Sequence, residues 1–191
     1  MIIDTLWQTQ TEPGLEHLSL EVHDAGVTAD GLLIGLAAAR PFRLRYVLHL
    51  DVQFQVRMVQ LAITEPFTRQ IELRRDAAGG WVDKLGIELP ALRGCRDVDI
   101  ESSAFTNTLP IRRTAWKPGQ TAAFDMAYIR LPDLAVEVDS QQYTCLDVTP
   151  DGGVFRYEGL RTRFSAELRV DAYGLVVEYG DLFRRVFSTA L

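Results

Sequence analysis

The sequence predicts an all-β protein, a large curled antiparallel sheet forming a barrel, half-barrel or two-sheet sandwich, with little helix. Three observations predict it. The run PFRLRYVLHLDVQFQVRM, residues 41–58, carries Phe42, Leu44, Tyr46, Leu48, Leu50, Val52, Phe54, Val56 and Met58 at alternate positions. Alternation of that length means extended chain with one apolar face. Shorter alternating runs recur along the chain between Gly, Asp and Pro turn signals. No window shows a helical repeat.

The elements follow in order. Leu18, Leu20 and Val22 alternate with Ser19, Glu21 and His23. The 42–58 run would span more than about 50 Å at 3.3 Å per residue, too long for one flat strand, so it must bend or break into a hairpin or bulge. After Met58 the apolar phase flips to Val59, Leu61 and Ile63, as a bulge near Met58 would produce. Ile71 and Leu73 lead into DAAGG and Trp81. Residues 84–94 have room for a short helix. CRDVDI, at 95–100, reads as a loop entering a strand, and FTNTLPIRR, at 105–113, reads as a strand. Phe124, Met126 and Tyr128 give a further strand, and Leu134, Val136 and Val138 follow Pro132. DGG at 151–153 is a turn. Phe164 to Val170 alternates, and DAYG joins it to GLVVEY as a hairpin. The C-terminal tail, like residues 84–94, has room for a short helix. A sheet of ten to fifteen such strands must curl or split, and curled sheets of this size enclose cavities for apolar ligands.

Residues 1–191 fit a single domain, large enough to bury about 70% of its unfolded surface. The net charge of −6 disfavours nucleic acid and anionic membrane as bulk partners. Of the 20 basic residues, all but Lys84 and Lys117 are arginine. Two cysteines, Cys95 and Cys145, make no disulfide framework. The start MIIDTLWQTQ lacks a signal-peptide pattern, and no run has the roughly 18 apolar residues of a membrane span. The expectation is a cytoplasmic protein with free thiols and no membrane span.

Chemistry-bearing motifs are sparse. His17 and His23 share a strand phase but stand about 20 Å apart on an extended chain, too far for one metal. No nucleophile elbow, phosphate loop or dinucleotide fingerprint occurs. Asp97 and Asp99 share one face of CRDVDI and allow two readings, an acid/base pair or partners for nearby arginines. FTNTLPIRR puts Asn107, the sole asparagine, and Arg113 on the same strand face as Phe105, Leu109 and Ile111. A buried, unpaired amide or guanidinium costs several kcal/mol, so partners are required. Pro110 could break the alternation. Arg112 or Arg113 could neutralise Asp97 or Asp99. The polar groups could instead hold a ligand's head group beside a cavity.

GCRDVDIESSAFTNTLPIRR, residues 94–113, resembles the signature of a bacterial family described as putative glycolipid-binding proteins. DGLLIG at 30–35, GGW at 79–81, LPDL at 131–134, QQYT at 141–144 and VDAYGLVVEY at 170–179 extend the likeness over most of the chain. The resemblance implies a large antiparallel β-fold similar to bacterial lipoprotein carriers, with a cavity for a glycolipid or other lipid-like molecule. It implies no activity and no cofactor. With it, the expectation is a non-catalytic binder of an amphiphile lying against Phe42, Tyr46 and Phe54. Arg57, Asn107, Arg112 and Arg113 would meet the head group, and Trp81 and Tyr143 would offer stacking faces for a sugar. The rival readings are an enzyme using Asp97 and Asp99 as acid and base, and an interaction module with no small ligand.

Overall fold

In the computed structural model, which describes residues 1–65 and 67–190, the alternating runs become strands. They are β1 (Ile2–Thr9), β2 (Leu15–His23), β3 (Gly26–Ala37), β4 (Arg40–Leu50), β5 (Val56–Glu65), β6 (Arg69–Arg75), β7 (Trp81–Asp83) and β8 (Asp97–Ile100). After them come β9 (Thr121–Ile129), β10 (Val136–Thr149), β11 (Gly152–Gly159), β12 (Ser165–Asp171), β13 (Val176–Tyr179) and β14 (Phe183–Ala190). All join one curled sheet in the order β7-β6-β5-β4-β3-β2-β1-β14-β13-β12-β11-β10-β9-β8. The pairings are antiparallel except the parallel β8–β9. The sheet does not close into a barrel. β7 and β8 end the order without pairing to each other, and residues 84–96 carry the chain across the gap.

The long 42–58 run breaks into a hairpin. Asp51 to Gln55 turn the chain, and Leu50 pairs with Val56 while His49 pairs with Met58, which leaves Arg57 as the extra residue of a bulge. That bulge is the phase flip seen in the sequence. The turn belongs to a set of four built alike, starting at Asp51, Asp76, Asp83 and Asp171. In each, Asp Oδ1 accepts the backbone N–H groups two and four residues on, at 2.8–3.0 Å. The fourth residue of each turn has a positive φ. It is Gly79, Gly86 and Gly174 in three of them, and Phe54 (φ 62°) in the remaining one. A side chain in that left-handed region is held at a cost, and Phe54 is held by burial.

The concave face carries the core. Leu18, Leu20, Leu44, Tyr46, Leu48, Val59, Leu61 and Ile63 are all buried there. The segment after β8 lies against this face, and here the structure corrects the sequence reading. FTNTLPIRR is not a strand. Phe105–Asn107 form a 3-10 turn that runs into a helix, α1, over Thr108–Arg113. Pro110 sits in the first turn of α1, where proline is tolerated. Phe105 stacks on Tyr46, ring centroids 6.2 Å apart. Tyr46 and its buried even-numbered neighbours Leu44 and Leu48 therefore pack into the protein core instead of lining an empty cavity. Two smaller expectations change as well. Residues 84–94 give only the 3-10 turn Pro90–Leu92, and the C-terminal tail is the strand β14, which pairs with β1 and β13.

Candidate functional site

Two buried polar clusters fix the 94–113 segment to the sheet. The first centres on Glu16, which points inward from β2 in the same phase as Leu18 and Leu20. It accepts hydrogen bonds from the Tyr46 hydroxyl at 2.7 Å, the Ser103 hydroxyl at 2.6 Å and the Ala104 N–H at 2.6 Å. Burial raises the Glu16 pKa above its ordinary value, opposed by these donors. Tyr46 reaches Glu16 across Gly31, its register partner on β3. A Cβ on Gly31 would lie 1.9 Å from the Tyr46 ring, so glycine is required there.

The second cluster centres on Asp99. It accepts from the Thr106 hydroxyl at 2.8 Å and from Gln141 Nε2 at 2.6 Å. Tyr143 donates its hydroxyl to Asn107 Oδ1 at 2.9 Å, and Asn107 Nδ2 donates to the Ala104 carbonyl at 3.3 Å. Burial pushes Asp99 up to about 6, against the hydrogen bonds from Gln141 and Thr106. Beside it, fully buried Asp97 forms an ion pair with Arg113. Its pKa is nevertheless raised, because desolvation outweighs the guanidinium.

The residues singled out in the sequence thus fall in several places. Tyr46, Asn107 and Tyr143 are buried members of these clusters. Trp81 is buried too. Its indole N–H donates to the Cys95 carbonyl at 3.0 Å, and the Arg75 guanidinium covers the ring at 4.0 Å. Arg113 pairs with Asp97, and Arg57 pairs with Asp51 on the surface at 2.6 Å. Arg112 lies over the Phe54 ring at 4.8 Å and against Gly174, and so bridges two of the Asp turns at one end of β4. Cys95 and Cys145 are free and buried. Glu16 was missed by the sequence reading, although the signal was present as a carboxylate in the apolar phase of a strand.

The open space lies elsewhere. At the opposite end of β4, the loop between β1 and β2 overhangs a cleft of about 340 Å³. Leu33, Phe42, Leu182 and Phe183 line its apolar part, and Thr9, Glu12, Glu101 and Ser102 line its polar part. A second groove of about 400 Å³ follows the gap between the sheet ends, against Ile71, Leu73, Leu89, Pro90, Leu92 and Val136. Phe42 is the one residue of the even-numbered 42–58 set that reaches either space. Among the described residues, no three His, Cys, Asp or Glu side chains converge as metal ligands, and no helix is long and apolar enough to cross a membrane.

An open, curled 14-stranded sheet with its concave face filled and clefts at its edges defines an all-β fold with little helix. Residues 4–185 match the family described as "Putative glycolipid-binding", and the chain belongs to that family. It is also similar to the crystal structure of a DUF1089 family protein from Pseudomonas aeruginosa. The two chains are 35% identical with a TM-score of 0.81, over 94% of this chain and 95% of that one. No curated protein matches the chain.

Proposed function

We propose that this protein binds an amphiphilic, lipid-like molecule without transforming it, and that the cleft under the β1–β2 loop is the seat. One observation carries the reading. The cleft joins an apolar floor of Leu33, Phe42, Leu182 and Phe183 to a polar rim of Thr9, Glu12, Glu101 and Ser102, and its volume is within the range of small-molecule sites. The family name points the same way by association alone, since a fold does not dictate a function.

Binding is favoured over catalysis because Asp97 and Asp99 are occupied. Arg113 holds Asp97, and Thr106 and Gln141 hold Asp99; neither carboxylate lines a cleft. A general acid or base must reach a substrate proton.

The neutral fluorophore N-phenyl-1-naphthylamine tests the reading, because it brightens on entering an apolar site. Saturable binding at one site per chain is expected. Leu36→Trp, at the half-buried rim of the cleft, should abolish it without lowering the melting temperature. No saturable signal, or a signal that Leu36→Trp leaves unchanged, would overturn the proposal.

A further inference from the structure

Away from the cleft, one turn presents its apolar side chains to water. Leu85 and Ile87 are 73% and 58% exposed, the two highest values among the large apolar residues described. They belong to the Asp83 turn, in which every residue from Lys84 to Glu88 is exposed. The turn is nevertheless firmly held. Asp83 Oδ1 accepts the N–H groups of both Leu85 and Ile87, the Asp83 N–H donates to the Ile87 carbonyl, and Glu88 bridges back to Val82. The Arg74 guanidinium donates to the Lys84 carbonyl at 3.1 Å. The Lys84 ammonium and the Glu88 carboxylate join no ion pair among the described residues. The apolar groove in the gap between the sheet ends begins at this turn, where Asp83 and Lys84 line it with Ile71, Leu89, Pro90 and Val136. An exposed apolar pair continuous with an apolar groove marks a contact surface.

The order of residues says what the surface fits. Lys84, Leu85, Gly86, Ile87 and Glu88 read as cation, apolar, glycine, apolar, anion. That order is complementary to its own reverse. Two such turns set tip to tip about a two-fold axis at Gly86 bring the 84–85 limb of one against the 87–88 limb of the other. Lys84 then meets the second copy's Glu88, and Leu85 meets its Ile87, twice over. From this we infer that the 84–88 turn, with the groove beside it, is the surface on which a second copy of this chain docks to form a symmetric dimer. In such a contact the same patch serves both chains and must match itself. Gly86 suits the axis, since a Cβ there would meet nothing within 4 Å and the space before it is open. Two chains of net charge −6 repel each other. A face with one free cation and one free anion, paired crosswise, is where that repulsion is offset. A single turn covers less than the roughly 800 Å² per partner of a standard interface, so the groove must contribute and the dimer forms in a concentration-dependent way.

Sedimentation equilibrium of the full chain, from about 1 to about 500 µM, reads the association directly. The average mass of the wild-type protein should rise from one chain toward two across that range. Leu85→Asp and Ile87→Asp, at exposed positions, should each hold it at one chain. Lys84→Glu and Glu88→Lys should each weaken association by about ten-fold or more, because each sets like charges opposite one another at both ends of the turn. An equimolar mixture of these two variants should associate as the wild type does, since each supplies the charge that the other lacks. Wild-type protein that stays one chain at the highest concentration would overturn the inference. A dimer that Leu85→Asp and Ile87→Asp leave intact would also overturn it, because the contact would lie elsewhere. A mixture that associates no more tightly than either charge variant alone would overturn the crosswise pairing about Gly86, and with it the two-fold placement.

Discussion

A primary amide is useful where two stretches of irregular backbone meet, because it both donates and accepts. Asn107 does this at the junction of the 3-10 turn and α1. It donates to Ala104 O behind it and accepts the Tyr143 hydroxyl from β10 across the interior. Asn107→Asp keeps the size but leaves the Ala104 carbonyl without its donor and puts a carboxyl near Asp99. Losing a buried hydrogen-bond partner costs about 1–3 kcal/mol. Denaturant unfolding should show a midpoint lowered by that free energy divided by the slope, the slope itself unchanged, whereas an unshifted midpoint would mean that the amide does not hold the segment. Arg113 answers the other half of the question raised by FTNTLPIRR. Its guanidinium is buried against Asp97, so an apolar stretch carries a cation because a buried anion stands opposite. The sequence reading contained both the need for partners and the Arg–Asp option, but not the choice between them. Which partner is reached depends on the path of the backbone between Asp97 and Arg113, and that path was misread as extended.

At the scale of elements, strands such as β2, β4 and β5 were legible because each has one buried face, and burial writes a period of two into the chain. The bulge at Arg57 was legible for the same reason. β14, buried at Phe183 alone, carries no such period and was not legible. Nor was the helix. Six residues make fewer than two turns, and Thr108, Leu109, Pro110 and Ile111 are all buried, so no polar side exists to mark a 3.6-residue period. The helix forms because the sheet surrounds it, a cause that lies outside its own residues. Its clamp was equally hidden, since Glu16, Tyr46 and Ser103 are far apart in sequence and meet only in register. Gly31 is the element-level test of that clamp. Gly31→Ala forces the Tyr46 ring out of place and with it one donor to Glu16. Overpacking of this kind costs about 1–3 kcal/mol. A melting temperature within a degree of wild type would mean that the Tyr46 ring yields freely and that the clamp is loose.

For the molecule as a whole, the interior carboxyls set how stability depends on pH. Glu16, Asp97, Asp99 and Glu101 all have pKa values raised by burial, whereas Asp30 and Asp133 have theirs lowered by exposed arginines, Arg45 and Arg130. Exposed pairs contribute little, so the raised group dominates. For Asp99 the folded value is about 6, against roughly 3.9 in an unfolded chain. Between those values the folded state binds more protons than the unfolded one, so stability must fall as pH rises through the interval. The full stability is present below about pH 4 as far as Asp99 is concerned, and the loss is complete above pH 6. Two pKa units correspond to about 3 kcal/mol at most. Asp139 lies beside Asp99 and raises it further, while Gln141 Nε2 sits between the two carboxylates, 2.6 Å from Asp99 and 3.4 Å from Asp139. Thermal melts from pH 4 to pH 8 should therefore show the midpoint falling up to about pH 6 and levelling beyond it. Asp99→Asn, which cannot ionise, should flatten the fall and leave the plateau. A midpoint that rises through this interval, or an identical slope in Asp99→Asn, would mean that water reaches the cluster and that the concave face is less tightly filled than its packing implies.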